Sequence, residues 1–382
     1  MATSRIPASR LQALRKEVYD CSRCGFCRVW NWKGVDWVCP TYPYTEAFDT
    51  QYARGRVNMA QQLLEGEVDI DETFLEHLAQ CTLCGSCGEH CPVGIPLFEI
   101  WTALRADLVD AGVMTEHQAA VADNTVQHHS IFGPARRAPS QAAVTPHKVD
   151  VLYFPGCQTV RKIKSIGKST EELLGKLGVN YAVLEEDACC GYPLFDIGQL
   201  DAMKQAAEYT LERIKAYQPD VVLTTCAGCY RAFTGVYPEV LGIHSGLNFQ
   251  HTHEFFPSLA AGKLHEINRK VTYHDPCIMG RHMGIYDEPR ELISSVPGVE
   301  LVEMYSTREH ALCCGAGGGV LSAFTDLAGD VGVERLQQAA AAGAEQVVSS
   351  CPTCVVNLKR SVAKAGLNLT VTDIVDLLNE AL

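Results

Sequence analysis

The cysteines constrain this chain more than any other feature of its sequence. There are 18 of them among 382 residues, and they fall into tight clusters that are separated by long stretches without any. Residues 1–130 hold eight, and two further groups of five span 157–229 and 277–354. This spacing does not resemble a disulfide framework, and it is typical of metal or metal–sulfide binding.

The two groups of five cysteines repeat one spacing pattern. The first runs C-x31-CC-x35-C-x2-C and the second C-x35-CC-x36-C-x2-C. The flanking residues repeat as well: VDVLYFPGC matches KVTYHDPC, ACCGYP matches LCCGAGGG, and DVVLTTCAGC matches QVVSSCPTC. Self-similarity at a spacing of about 120 residues predicts two copies of one domain.

Each copy alternates strand-like apolar runs with amphipathic helical patterns, as in STEELLGKLG and GVERLQQAAAAGA. This alternation predicts parallel α/β sheets, in which ligands collect at the carboxyl ends of the strands. We therefore predict a multidomain chain. It has a mainly α-helical domain at 1–130, a Pro- and Ala-rich linker at 131–148, and two duplicated α/β domains with parallel sheets at 149–260 and 263–382.

Composition and charge narrow the class of protein. The chain is 47% hydrophobic and 20% charged, and its net charge is −13. An acidic surface disfavours nucleic acid as a partner. The sequence contains neither an apolar run long enough to span a membrane nor an N-terminal secretory signal. We therefore expect a cytoplasmic protein, which would meet a membrane only through another subunit.

The N-terminal cysteines predict two cubane 4Fe–4S clusters. CTLCGSCGEHCP (81–92) has the C-x2-C-x2-C-x3-C-P spacing of bacterial ferredoxins, in which the fourth cysteine ligates the neighbouring cluster. Zinc is the competing metal, but it usually takes two separated pairs. The first run, CSRCGFCRVWNWKGVDWVCP (21–40), delays its fourth cysteine to Cys39. We expect crossed ligation by two sets: Cys21, Cys24, Cys27 and Cys91; and Cys81, Cys84, Cys87 and Cys39.

The loop inserted into the first run carries three tryptophans: Trp30, Trp32 and Trp37. We interpret these rings as shielding for a cluster or as a local core. A docking surface for a redox partner is the alternative.

Five thiolates in each copy exceed what one cubane needs. The surplus indicates a larger or more open cluster, or a cubane with a spare thiol, whereas a regulatory dithiol or a zinc site is the alternative. Adjacent cysteines can face one site only if the backbone turns sharply, and Gly191 and Gly315 follow the two pairs.

These motifs resemble the cysteine-rich CCG domain of heterodisulfide reductases. FPGCQTV, ACCGYP, YHDPCIMGR, LCCGAGGGV and CPTC all match that pattern. The N-terminal part followed by two such domains is similar to the fused D-type subunit of these enzymes. It is similar also to iron–sulfur subunits of anaerobic glycerol-3-phosphate and glycolate dehydrogenases and of complexes that reduce benzoyl-coenzyme A.

The resemblance implies a non-cubane 4Fe–4S cluster in each α/β domain. In the family, two such clusters face each other across a disulfide, and each delivers one electron. The implied ligands form two sets: Cys157, Cys189, Cys190, Cys226 and Cys229; and Cys277, Cys313, Cys314, Cys351 and Cys354. The family often has His after the first cysteine of the second domain. Here that position is Ile278, and His282 is a nearby substitute.

Candidate catalytic residues flank Cys277. His274, Arg281 and His282 are placed to hydrogen-bond cluster sulfur, to donate protons or to bind an anionic group of a substrate. Ordinary strand-end hydrogen bonding is the alternative. We expect His251 and Glu254 to cap and pack a helix. The glycines of GAGGG lack the spacing and Lys of a P-loop, so we expect them to form a turn near a cluster.

The leading hypothesis is a heterodisulfide-reductase-like iron–sulfur subunit. Electrons would pass through the two cubanes to the two non-cubane clusters, and there reduce a small-molecule or protein disulfide or pass to a partner. The alternative is a purely electron-transferring subunit of a flavoprotein dehydrogenase or of a benzoyl-coenzyme A reductase type complex. The expected partners are other redox subunits, either a flavoprotein or a membrane cytochrome or quinone subunit. No Rossmann fingerprint is present, so flavin or nicotinamide chemistry is assigned to another subunit.

Overall fold

The computed structural model describes residues 6–29, 37–134, 148–184 and 188–382. In the described part of the N-terminal region, all regular structure is helical. Short 3-10 turns cover Tyr42–Tyr44 and Asp49–Gln51. The helices are α1 (Ser9–Ala13), α2 (Arg15–Tyr19), α3 (Ala53–Glu65), α4 (Glu72–Ala79), α5 (Ser86–Glu89), α6 (Leu97–Asp110) and α7 (Glu116–His128).

Local sequence explains the limits of the helices that carry the N-terminal core. Helix α3 ends at Glu65, and the Gly66 that follows takes the left-handed conformation at φ 70°. Helix α4 begins after Asp71, whose carboxylate accepts a hydrogen bond from the Phe74 amide at 2.8 Å. Their apolar faces meet α6 in one buried core that includes Val57, Phe74 and Leu104. This core holds the intervening cysteine loops in place.

The first α/β unit contains a four-stranded parallel sheet. Its strands are β1 (Val151–Phe154), β2 (Tyr181–Val183), β3 (Val221–Thr224) and β4 (Phe249–His251), in the order β2-β1-β3-β4. A single π-helical turn covers Ala232–Val236. The helices are α8 (Gly156–Arg161), α9 (Lys164–Lys176), α10 (Tyr192–Asp196), α11 (Leu200–Ala216), α12 (Ala227–Arg231), α13 (Tyr237–Val240) and α14 (Thr252–Ala260).

The second unit repeats this topology. Its parallel strands are β5 (Arg269–Tyr273), β6 (Val299–Leu301), β7 (Gln346–Ser349) and β8 (Thr370–Asp373), in the matching order β6-β5-β7-β8. A 3-10 turn covers Arg308–His310. The helices are α15 (Asp287–Ser294), α16 (Val320–Ala323), α17 (Thr325–Ala341), α18 (Pro352–Ala365) and α19 (Ile374–Ala381). The predicted fold class, a helical region followed by two duplicated parallel α/β units, is confirmed.

The two sheets share one apolar core. Val151 and Tyr153 of β1 face the same buried cluster as Tyr273 of β5, whereas Leu152 and Phe154 face the opposite side of the first sheet. This is the alternation expected of a strand that is buried on both faces. Helices α9 and α19 pack against each other across the same core. The shared core therefore fixes the carboxyl ends of the two sheets relative to each other.

The connections between units are described only in part. Most of the predicted linker at 131–148 lies outside the described residues. Helix α14 ends at Ala260 and β5 begins at Arg269, on either side of the predicted boundary between the two α/β domains. Helix α7 packs on α11 of the first α/β unit, where Ala122 joins the core behind Phe154.

Candidate iron–sulfur centres

Four cysteines from distant parts of the N-terminal region line one cleft. Cys21, Cys24 and Cys27 follow α2, and Cys91 lies two residues beyond α5. All four line a space of about 350 Å³, which we call the first cleft. These are the four residues that the crossed pattern assigns to one cubane.

The other four N-terminal cysteines line a second cleft of about 390 Å³. Cys39 precedes α3, and it joins the run that holds Cys81, Cys84 and Cys87. Ala53, the first residue of α3, lines both clefts. The two clefts are therefore neighbours that are separated by the start of one helix.

The second cleft contains buried donors that fit an anionic group. Arg56 and Trp101 line it, and both are almost fully buried. Arg56 donates through Nε to the His77 carbonyl at 2.9 Å. Its Nη2 and the Trp101 Nε1 have no hydrogen-bond partner among the described residues. Because unpaired buried donors are costly, a sulfide-bearing anionic cluster in this cleft would satisfy both.

Burial also makes Cys27 of the first cleft and Cys87 of the second poor candidates for free redox groups. Burial raises the pKa of Cys27 to about 12 and the pKa of Cys87 well above its ordinary value. A free thiol with such a pKa is protonated at neutral pH and weakly nucleophilic. A bound iron ion supplies the positive charge that keeps a buried thiolate ionised. The donor set therefore fits iron–sulfur ligation better than a regulatory dithiol.

The first five-cysteine set lies at the carboxyl edge of its sheet. Cys157 lies in the first turn of α8 beyond β1, and Cys226 is the N-cap of α12 beyond β3. Neighbouring thiols interact in one continuous series: Cys157, Cys189, Cys190, Cys229 and Cys226. All five thiols therefore belong to one connected cluster.

The second set repeats this arrangement. Cys277 follows β5, and Cys351 is the N-cap of α18 beyond β7. The series of interacting thiols has the same internal order as in the first copy: Cys277, Cys313, Cys314, Cys354 and Cys351. The duplication that the spacing predicts therefore extends to the arrangement of the sulfur atoms.

The glycines after the paired cysteines turn the backbone as expected. Gly191 has φ 75° and Gly315 has φ 92°. Each donates its amide to the first cysteine of the pair before it, Gly191 to Cys189 Sγ at 3.4 Å and Gly315 to Cys313 Sγ at 3.3 Å. Each set thus contains a backbone N–H···S interaction, which is typical of cluster-binding loops.

Two further contacts join the sets to one another. Cys226 of the first α/β unit interacts with Cys351 of the second. Cys84 of the second cleft interacts with Cys313. The second five-cysteine set therefore contacts both the second cleft and the first five-cysteine set.

The three candidate catalytic residues have different surroundings. His274 is fully buried, and one of its ring nitrogens lies within 4.8 Å of the sulfur atoms of Cys314 and Cys354. Arg281 donates to the Cys84 carbonyl at 2.6 Å and also to the carbonyls of Glu309 and Ala311. Its guanidinium is thus occupied by backbone carbonyls between the second cleft and the second five-cysteine set.

His282 contacts the helical region. Its Nε2 lies 2.9 Å from the Leu83 carbonyl, and its ring packs on Phe98 with centroids 4.3 Å apart. Burial, assisted by Arg231, lowers the pKa of His282 to about 3. The ring is therefore neutral at physiological pH, and it bonds to the loop that carries Cys84.

Two other residue groups can be compared with their predicted roles. Glu254 accepts the His251 amide at 2.9 Å in a capping box at the start of α14, so the capping prediction is confirmed. Trp30 and Trp32 lie outside the described residues. Trp37 packs against Tyr42, with ring centroids 5.9 Å apart.

Sequence reasoning missed the residues that dock the helical region onto the α/β units. Arg105 of α6 donates to the carbonyls of Cys81, Asp196 and Gly318, which belong to three different parts of the chain. Gly317 and Gly318 allow this close approach, because a Cβ on Gly318 would lie 2.2 Å from the Cys81 carbonyl oxygen. The dense glycines of GAGGG were a usable signal for close backbone packing.

Comparison with known families agrees with this architecture. Residues 17–95 match a family model described as a 4Fe-4S dicluster domain. Residues 151–234 and 271–359 each match a cysteine-rich domain, CCG. The chain is therefore an iron–sulfur protein whose three matched regions coincide with the helical region and the two α/β units.

Three curated relatives illustrate the range of similar proteins. The D-type subunit of dihydromethanophenazine:CoB–CoM heterodisulfide reductase from Methanosarcina mazei is 33% identical, over 100% of this chain and 98% of the relative. The B-type subunit of a fumarate reductase (CoM/CoB) from Methanothermobacter marburgensis is 30% identical over 80% of this chain and 62% of the relative. An EtfAB:quinone oxidoreductase from Syntrophomonas wolfei is 26% identical over 88% of this chain and 50% of the relative.

Proposed function

Because this chain belongs to the family of heterodisulfide reductase D-type subunits, we propose that it accepts electrons from a partner redox subunit and uses them to cleave a disulfide. The observation that carries this proposal is the contact between Cys226 and Cys351. That contact brings the two complete five-cysteine sets next to each other. Each set would supply one electron, so the pair matches a two-electron bond cleavage.

The proposed cofactors are two cubane and two non-cubane 4Fe–4S clusters. The first cleft would hold one cubane and the second cleft the other, with the ligands that the crossed pattern assigns. Each five-cysteine set would hold a non-cubane cluster. Support comes from the shared lining of each cleft, from the unpaired donors of Arg56 and Trp101, and from the matching order of thiols in the two α/β units.

The contacts between sets suggest an order of electron flow. Electrons would enter at the first cleft and cross to the second past Ala53. They would reach the second five-cysteine set through the neighbourhood of Cys84 and Cys313, and the first set through that of Cys226 and Cys351. At the end of this route one disulfide, two electrons and two protons would give two thiols.

The electron donor is proposed to be a flavoprotein or a membrane cytochrome or quinone subunit. No helix in the described part of the chain is both long and apolar enough to cross a membrane. In this proposal any membrane attachment belongs to the partner, and the chain itself works in the cytoplasm. The disulfide would be a small molecule or a protein.

Iron analysis and electron paramagnetic resonance (EPR) of anaerobically purified protein test the proposal. We expect about 16 irons per chain, from four clusters of four irons each. Adding a thiol to the oxidised protein should produce a new paramagnetic signal, which Cys190→Ala or Cys314→Ala should remove. Cys24→Ala, in the first cleft, is the matched control and should keep that signal. About 8 irons, or a signal that survives both variants, would contradict the proposal.

A subunit that only transfers electrons is the second candidate, and the similarity to EtfAB:quinone oxidoreductase favours it. The same experiment separates the two. About 16 irons without any thiol-dependent signal would support electron transfer alone, because the five-cysteine sets would then bind clusters that do not accept sulfur from a substrate.

A further inference from the structure

The two α/β units differ at one position beside their cysteine sets. Tyr153 and Tyr273 occupy matching places in the two units. The Tyr153 hydroxyl lies 3.2 Å from the hydroxyl of Thr225, the residue before Cys226. The Tyr273 hydroxyl lies 2.7 Å from the hydroxyl of Ser350, the residue before Cys351. The residue after this tyrosine is Phe154 in the first unit and His274 in the second. An apolar ring in one copy therefore corresponds to an imidazole in the other.

His274 is held on one side by a permanent donor. The Arg335 Nε donates to His274 Nδ1 at 3.1 Å, and both side chains are fully buried. The other ring nitrogen, Nε2, has no hydrogen-bond partner among the described residues. A ring nitrogen, Cys314 Sγ and Cys354 Sγ all lie within 4.8 Å of one another. Since Nδ1 is occupied by Arg335, Nε2 is the nitrogen available to the sulfur atoms.

This arrangement selects one tautomer of the imidazole. A guanidinium only donates, so Nδ1 must present its lone pair to Arg335. The proton of a neutral His274 then lies on Nε2, and that N–H points toward the sulfurs. Direct coordination of iron through Nε2 would need its lone pair. The proton would then lie on Nδ1, where it would oppose the Arg335 N–H.

We propose that His274 is a positioning residue that donates Nε2–H to sulfur of the second five-cysteine set and makes that cluster easier to reduce than its counterpart in the first set. The inference rests on the proposed function, since it requires a cluster in each set. A hydrogen bond to cluster sulfur stabilises the negative charge that reduction adds, and this raises the reduction potential. Phe154 offers no such donor to the first set.

Two nearby cationic side chains act in the same direction, and the buried carboxylate of Asp275 is paired with Arg290. Arg281 lies among Cys84, Cys277 and Cys313, and Arg335 lies directly behind His274. The duplicated units would therefore hold clusters of unequal potential. The higher potential would belong to the cluster that the Cys84–Cys313 contact places next to the helical region.

Redox titration followed by EPR tests this inference. In His274→Phe, which copies the first unit, we expect one of the two five-cysteine clusters to shift to lower potential while the other three centres stay unchanged. His274→Gln keeps an N–H near the Nε2 position and should restore most of the potential. Phe154→Leu is the matched control in the first unit and should leave all potentials unchanged.

Isotope labelling provides a measurement that would not change if His274 had only a structural role. In wild-type protein carrying 15N-histidine, electron–nuclear double resonance should detect a weakly coupled nitrogen and an exchangeable proton at one cluster. Both should vanish in His274→Phe while the iron content stays at its wild-type value. Unchanged potentials in that variant would overturn the inference, as would a strongly coupled nitrogen, which indicates direct ligation. A wild-type protein without clusters in these sets would instead refute the proposed function.

Discussion

At the scale of single residues, the glycines after the paired cysteines decide whether two adjacent thiols can face one site. Gly315 combines a left-handed backbone with close packing against α17. A Cβ at this position would lie 2.6 Å from the Ala328 carbonyl oxygen and 2.9 Å from Val331 Cβ. Both neighbours are fully buried residues of the long helix α17, so neither moves easily aside.

We predict that Gly315→Ala displaces Cys314 and loosens the second five-cysteine set. The left-handed backbone alone should cost about 1 kcal/mol, and the clash with α17 should add roughly 1–3 kcal/mol. The urea midpoint of the anaerobic protein measures the loss, and iron content should fall by about four per chain. Gly343→Ala is the control, because Gly343 has φ 75° with no heavy atom within 4 Å of the added Cβ. Equal losses in the two variants would argue against a steric role of Gly315.

At the scale of elements, Arg105 of α6 makes the hydrogen bonds that join this helix to the α/β units. Arg105 is 5% exposed and donates to four backbone carbonyls: Leu78, Cys81, Asp196 and Gly318. Buried carbonyls that lose their donor remain unsatisfied, so this one residue controls several interactions at once.

We predict that Arg105→Gln destabilises the protein by about 3 kcal/mol, because two or more carbonyls lose their partner. The loop that carries Cys81 should also loosen, so electron transfer from the helical region to the five-cysteine sets should slow. Stopped-flow reduction kinetics and the urea midpoint measure these effects. Arg15→Gln is the control: Arg15 pairs with Glu65, the two side chains are 39% and 40% exposed, and the loss of this pair should cost less than about 1 kcal/mol. A stable Arg105→Gln protein with normal kinetics would contradict this view of the junction.

The elements that sequence could predict were those with strong local patterns. The strands β1, β3, β5 and β7 lead directly to cysteines, and long helices such as α11 and α17 follow clear amphipathic repeats. The sheet-edge strands were not identified. β2 and β6 have three residues each and are half-exposed or exposed, so they lack a long apolar run. β4 and β8 are strands because they pair with β3 and β7, and not because their own sequences carry a strong strand pattern.

At the scale of the whole molecule, the sequence was enough to divide the cysteines into sets. It was not enough to predict which sets contact each other. Spacing and duplication were enough to propose four sets. The contacts Cys226–Cys351 and Cys84–Cys313 depend on a core shared by two sheets and on backbone packing at Gly318, and neither leaves a periodic signature. Arg105 and Arg335 were missed for the same reason, since each acts on residues far away in the chain.

The junction of the three parts should make stability depend on pH through Asp196. This residue lies at the end of α10, and its Oδ2 accepts the Gly318 amide at 3.2 Å. Burial raises the pKa of Asp196 to about 6, although Arg105, the Gly318 amide and Arg231 oppose the shift. The carboxyl group is thus harder to ionise in the folded protein than in the unfolded chain.

We predict that Asp196→Asn stabilises the protein at pH 7.5 and removes one component of its pH dependence. Between the unfolded pKa near 4 and the folded value near 6, the folded state binds more protons, so this contribution to stability falls as pH rises and is lost above about pH 6. The wild-type protein should lose roughly 1–3 kcal/mol relative to the variant across that window. Asn keeps an acceptor for Gly318 without the buried charge. The difference between the urea midpoints of the two proteins at pH 5 and pH 7.5 isolates this effect, because other titrating groups cancel. A difference that is constant with pH would show that Asp196 is not the group that titrates at this junction.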